Sequence, residues 1–212
     1  YSSAASDVYK RQANSLLSAS VDGWFTLPLT VPNYLAGFVG KPVLPLDAPE
    51  VSAAIERVQK RTDALLNCGG THRPEWFHRK LGDILYEGCG VARDEAGLLD
   101  ALTKVRELRE EFWRDVKVVG TGNRLNQELE KAGRVADFIE LGEVMILDAL
   151  DRRESAGAHF RNEYATEAGE AKRNDGDWCA VSAWETRPDG TKVRHSEPLS
   201  FSLIDLQVRD YR

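Results

Sequence analysis

Apolar residues recur at helical spacing along most of the chain, and the repeats are interrupted by stretches rich in Pro, Gly and Asn. In NSLLSASVDGWF, Leu16, Leu17, Ser20 and Trp24 share a helix face, with Asn14 or Ser15 as the N-cap. Pro28, Pro32, Pro42, Pro45 and Pro49 then predict an extended linker. A second helix begins near Pro49, because proline is tolerated in a first turn, and stops at Gly69–Gly70. Trp76, Phe77, Leu81, Ile84 and Leu85 mark a third. Asp94 caps a fourth, whose stripe is Leu98, Leu102, Val105, Leu108 and Phe112. After the GTGN break, Leu129, Ala132, Ala136, Ile139, Val144 and Leu147 define a long fifth helix. Consecutive one-faced helices joined by short breaks must bury their stripes against one another, so a helical bundle is expected.

Beyond Trp178 the period changes. Residues that favour strands flank Pro188-Asp189-Gly190, which predicts a hairpin, and LSFSLIDLQV alternates as one further strand. Two or three strands cannot hold a core of their own, so this tail must lean on the helices or on another domain. The class is therefore mainly α with a small C-terminal β hairpin tail.

Composition narrows the chemistry. The chain has 212 residues, of which 42% are hydrophobic and 29% charged, with a net charge of −6. That acidity argues against a nucleic-acid surface. Cys68, Cys89 and Cys179 lie far apart and form neither a metal-ligand pair nor an even disulfide framework. The longest apolar run is broken by Pro28 and Pro32, so no membrane span is expected. The histidines His72, His78, His159 and His195 make no ligand motif, and neither a phosphate loop nor a dinucleotide fingerprint occurs. The acid pairs Glu110–Glu111 and Asp175–Asp177 sit on charged stretches that read as solvated faces. A structural role also suits His78, which follows Phe77 on a helix.

Four blocks in order carry a resemblance: ANSLLSA with VDGWFTLP, FHRKLGDILYEGCGVARDEAGLLDAL, NQELEKAGRVADFIELGEVM, and RRESAGAHFRNEY with GEAKRND. Together with the Arg-Asp-Tyr-Arg ending, they resemble the C-terminal part of the succinate dehydrogenase/fumarate reductase flavoprotein subunit, in its non-classical, longer-tailed branch. The resemblance runs from Ala13 to Arg212. Residues 1–12 instead resemble a translated sequencing-adapter artefact, the alternative being a disordered tail. The family then implies that residues 13–48 end an FAD-binding domain, with a flavin-contacting helix followed by the Pro-rich linker. Residues 49–153 are the helical bundle and residues 154–212 a C-terminal loop and β tail.

What the family implies for sites is specific. Its Glu-Ser-Arg-Gly-Ala/Gly-His-x-Arg signature matches Glu154, Ser155, Gly157, His159 and Arg161, while Ala156 stands where the family has Arg. This segment should leave the long helix and pack toward the flavin domain, with His159 structural rather than catalytic. The family's substrate-binding Arg would fall at Lys10, so no catalytic residue is carried over. Asn14, Ser15 and Leu16 match the run whose backbone N–H groups face the flavin, and a helix N-terminus suits the negative charge of a reduced flavin. No metal site is implied.

The implied protein interconverts succinate and fumarate by hydride transfer with FAD, within the tricarboxylic acid cycle and electron transport of a bacterium. Its partners are an iron-sulfur subunit, a membrane anchor subunit and a dicarboxylate substrate, without nucleic acid. It would lie in the cytoplasm, peripheral on the inner face of the cell membrane. A fragment of this kind should be inactive alone. The rival readings are a sister flavoprotein, either L-aspartate oxidase or adenylylsulfate reductase, and a helical interaction module without cofactor.

Overall fold

The computed structural model describes residues 14–122 and 124–203. Lys10, the whole 1–12 segment and residues 204–212 lie outside the described residues.

A helical arm comes first, formed by α1 (Asn14–Val21), a π turn (Asp22–Thr26) and α2 (Leu27–Ala36). The expected extended linker is thus corrected at its start: the chain stays helical through Pro28 and Pro32 and becomes irregular only after Ala36. The physical reason is the π turn. Pro28 sits in the first turn of the re-registered helix, just after a widened turn that eases the clash of its ring with the carbonyl four residues back. Helix α1 already begins at Asn14, so its N-cap is neither Asn14 nor Ser15.

The bundle follows, with α3 (Pro49–Asn67), α4 (Pro74–Gly88), α5 (Glu95–Asp115) and α6 (Gln127–Asp151). Capping explains the starts of the last two. The Asp94 carboxylate accepts from the Gly97 N–H at 2.7 Å, and Asn126 Oδ1 accepts from Glu128 and Leu129 at 3.1 and 3.2 Å. All five residues of the predicted α5 stripe are buried, against Phe77 and Leu81 of α4 and Ala132, Val135, Ile139 and Ile146 of α6. Phe77 and Phe112 meet edge to face at 5.2 Å between centroids. Helix α3 buries only Leu65 and is fastened to α6 by Arg61, which reaches Asp137 at 2.6 Å and the Gly133 carbonyl at 2.9 Å.

The α3–α4 turn lies against the end of α5. Gly70 donates to the Val116 carbonyl, His72 to that of Asp115, and Lys117 to that of His72. The approach is so close that a Cβ on Gly70 would fall 1.9 Å from the Asp115 carbonyl oxygen, so only glycine fits.

After α6 the chain makes a compact turn region with a 3₁₀ turn (Asn162–Tyr164) and a short helix α7 (Asp175–Trp178). The antiparallel hairpin of β1 (Ala180–Thr186) and β2 (Lys192–Pro198) pairs Ala183 with His195 and turns at Pro188-Asp189-Gly190. It leans on the end of α6, as a two-stranded sheet must. Trp184 Nε1 donates to Asp148 at 2.8 Å, Arg194 pairs with Asp151 at 2.7 Å, and the guanidinium groups of Arg152 and Arg194 both lie over the Trp178 ring. The predicted further strand is not found in residues 199–203, which are irregular, and its remainder, 204–208, lies outside the described residues.

Candidate functional site

The backbone places Asn14, Ser15 and Leu16 together in the first turn of α1. N–H groups in a first turn have no acceptor within their own helix, and the dipole end they form is positive. This turn opens an arm with little cover of its own. Trp24 is 79% exposed and Val39 81%, and Phe25, Leu29, Tyr34 and Leu35 are exposed as well. Apolar surface of that extent, set apart from the bundle, is the property of a segment that docks against other protein.

The second feature is the turn beyond α6, where the structure brings together Glu154, Ser155, His159 and Arg161. Arg161 is 2% exposed. Its Nη1 donates to the Ala149 carbonyl at 2.8 Å and the Leu150 carbonyl at 3.3 Å, both left without helical partners at the end of α6. Its Nε reaches Glu163 at 3.1 Å, and the other Glu163 oxygen accepts from the Glu95 N–H at 2.5 Å. One ion pair therefore closes the end of α6 and the start of α5. Partial burial pushes the Glu163 carboxyl up, but the Arg161 bond and the Glu95 N–H outweigh it and hold the group below its ordinary range. Ser155 Oγ accepts from the Arg161 N–H at 2.8 Å and donates to its carbonyl at 3.1 Å. Buried Glu154 accepts from Arg152 at 2.7 Å and from the Asn174 N–H at 2.9 Å.

His159 has both ring nitrogens engaged: Nδ1 lies 3.0 Å from Arg93 Nη1 and Nε2 lies 3.0 Å from the Arg152 carbonyl. A guanidinium only donates and a carbonyl only accepts, so the ring is neutral with its proton on Nε2. Burial pushes the His159 pKa down, and the charges of Arg93, Arg152 and Arg161 act the same way, against the Arg152 carbonyl bond. Neither nitrogen is left to move a proton for a substrate. Ala156, at the position where the family has Arg, pairs its backbone with His159 and tightens the same turn.

The remaining polar candidates are dispersed. Glu111 binds Lys80 at 2.8 Å, while Asp175 and Asp177 bind Arg173 and Asn174 within their own turn. His78 packs on Phe138, and His195 pairs with Glu185 on the hairpin. His72 lies 2.5 Å from Asp115, whose pKa is lowered to about 2, chiefly by hydrogen bonds from His72 and Thr71. Among the described residues no three His, Cys, Asp or Glu converge as a metal site, and no helix is long and apolar enough to cross a membrane.

Sequence reasoning missed two groups. Arg93 binds His159, and Glu143, buried on the core face of α6, takes Arg106 at 2.7 Å and Arg109 at 2.5 Å from α5. Glu143 did leave a signal, a lone acid between Ile139 and Ile146 at core spacing.

Comparison with known proteins joins these features. Residues 78–211 match the family described as "Fumarate reductase flavoprotein C-term". The succinate dehydrogenase flavoprotein subunit of Bacillus subtilis is 26% identical over 200 residues, covering 94% of this chain and 33% of that protein. The fumarate reductase flavoprotein subunit of Haemophilus influenzae is 28% identical over 54% of this chain and 19% of its own length. The chain thus spans a third or less of these relatives. A mutant of E. coli quinol fumarate reductase FrdA has the same fold, with a TM-score of 0.65 and 24% identity over 75% of this chain and 26% of that one. Adenylylsulfate reductase from Archaeoglobus fulgidus has it too, with a TM-score of 0.61 and 16% identity over 83% of this chain and 28% of that one. With the family profile matched from the second turn of α4 almost to the last residue, the chain belongs to the fumarate reductase flavoprotein C-terminal family.

Proposed function

We propose that this chain is the C-terminal part of the FAD-containing subunit of a succinate dehydrogenase/fumarate reductase, an enzyme that interconverts succinate and fumarate. The observation that carries the reading is the likeness to the Bacillus subtilis succinate dehydrogenase subunit along 94% of the chain, from the exposed arm to the β tail. FAD, when bound, supplies the hydride acceptor and donor. The residues present suit it at one place. The first-turn N–H groups of Asn14, Ser15 and Leu16 head an apolar arm that the bundle does not cover, so they are available to a cofactor held mainly by upstream protein. Their role is to orient the ring and to favour negative charge on it.

The bundle and tail act at a distance from the reacting atoms. Arg161, Glu163 and His159 fix the turn that follows α6, and the arm carries the flavin-facing turn away from the bundle. In this reading residues 13–48 belong to the flavin domain, 49–153 form a supporting bundle, and the 154–212 loop and tail pack toward the flavin domain. An iron-sulfur subunit and a membrane anchor subunit complete the assembly and hold it at the inner face of the cell membrane.

The test is a steady-state assay of the full-length subunit that carries this sequence. Succinate should reduce an artificial electron acceptor, and fumarate should oxidise a reduced dye. The fold shared with adenylylsulfate reductase defines the rival: turnover of adenylylsulfate with none of succinate or fumarate would replace this reading by that one.

A further inference from the structure

His159 sits where three segments meet. Its Nδ1 accepts from Arg93, in the loop between α4 and α5, and its Nε2–H holds the Arg152 carbonyl at the end of α6. Backbone bonds run beside this contact, from the Arg93 N–H to the Phe160 carbonyl and from the Asn162 N–H to the Arg93 carbonyl. The charged groups around the ring are Arg93 from the α4–α5 loop, Arg152 from the end of α6 and Arg161 from the turn itself. Two carboxylates stand nearby, but Glu154 is bound to Arg152 and Glu163 to Arg161. Among the described residues neither carboxylate is hydrogen-bonded to the imidazole, and the Arg93 guanidinium donates to the Gly90 carbonyl and to His159 Nδ1.

A second proton on the ring has one place to go, Nδ1, where it would point at a donor. A donor–donor contact between two cations replaces a hydrogen bond, and the ring is half-buried, so water does not screen the pair as it would at the surface. We propose that His159 is an acid-sensitive latch: protonation at Nδ1 breaks its bond to Arg93 and releases the 154–162 turn from the α4–α5 loop.

The direction follows from linkage. With its pKa below 6.5 in the folded chain, His159 binds its second proton more readily once the turn has opened. Closure is unaffected well above about pH 6.5 and weakens as pH falls below it, by up to about tenfold in the opening equilibrium per pH unit for one proton. The loss levels off below the folded pKa. Glu163 and Asp115 are both held below the ordinary carboxylate range and titrate at more acid pH.

The experiment is NMR on the full 212-residue chain, following the His159 imidazole and the exchange protection of the Arg93 and Asn162 amides between about pH 7 and 5. The expected result is a His159 midpoint below 6.5, with protection at both amides falling in the same interval while that of the α5 core stays level. In His159→Gln, which keeps a donor and an acceptor but cannot titrate, protection at the two amides should become independent of pH there. Should that variant not fold, Arg93→Met serves: removing the guanidinium should raise the His159 midpoint toward 6.5. A His159 midpoint at or above 6.5, or the same loss of protection in His159→Gln, would overturn the proposal. So would an unmoved midpoint in Arg93→Met.

Discussion

Arg161 Nη1 donates to the carbonyl of Ala149 at 2.8 Å, so a buried guanidinium completes a helix that ended ten residues earlier, at Asp151. The same side chain binds Glu163, whose second oxygen begins α5. Arg161→Met would strip the last carbonyls of α6 of a charged donor and leave Glu163 unpaired. Hydrogen bonds to charged groups contribute about 1.5–3 kcal/mol each, while the exposed Glu163 would keep water and the Glu95 N–H as partners. The expected loss is about 2–4 kcal/mol, or roughly 5–15 °C in Tm for a chain of this size. Thermal unfolding followed by circular dichroism checks it, and Arg161→Lys, with charge but no planar fork, should recover part of the loss.

Trp184 fastens the hairpin through one hydrogen bond to Asp148. Trp184→Phe keeps most of the ring and removes the donor, which should cost about 1–2 kcal/mol. Because the hairpin has no core of its own, that cost should appear as faster amide exchange in β1 and β2, with α5 unaffected. Equal loosening of α5 would mean that the hairpin and bundle unfold as one unit.

Glu143 predicts a pH effect of known sign. Burial raises its pKa, but the Arg106 hydrogen bond and the charges of Arg109 and Arg106 prevail, and the group lies below its ordinary 4.5. A carboxyl lowered in this way stabilises the fold above about pH 4.5 and loses that contribution as pH falls through its folded value. Glu143→Gln should therefore be less stable than the parent chain at pH 7, and the difference should shrink toward acid pH. Urea unfolding at a series of pH values measures it; a difference that stays constant from pH 7 to about pH 3 would contradict the assignment.

Local pattern served the sequence reading well wherever a helix buries one face. The α5 stripe from Leu98 to Phe112 is buried throughout, and Asp94 caps as its position requires. In α6 the stripe is turned slightly from expectation: Ala132, Ala136 and Ile139 are buried, but Ile146 rather than Leu147 completes it. The failures come from partners distant in sequence. Nothing near Glu143 announces Arg106 and Arg109, 37 and 34 residues away, and nothing near His159 announces Arg93, 66 residues away. Pro28 looks like a helix breaker until a π turn, invisible to a 3.6-residue period, shifts the register before it, and the helix then runs on through Pro32. In the proposed flavin contact, Asn14, Ser15 and Leu16 serve through backbone N–H groups of the first turn of α1 rather than through side chains. Spacing rules alone do not single them out; the family resemblance does.

If the first turn of α1 forms part of the flavin pocket, the N–H of Ser15 stabilises the reduced anionic ring more than the oxidised neutral one and raises its potential. A helix-terminus interaction of this kind contributes about 0.3–1 kcal/mol when exposed and up to about 2 when partly buried. For a two-electron couple 30 mV corresponds to about 1.4 kcal/mol, so losing one donor should lower the potential by roughly 10–40 mV. Ser15→Pro in the full-length flavoprotein removes that N–H at a helix position where proline is tolerated. The deciding measurement is a redox titration of the FAD-loaded parent and mutant, with thermal stability matched to exclude unfolding. A potential lowered by that amount is the predicted result; an unchanged potential in a folded, FAD-loaded mutant would contradict it.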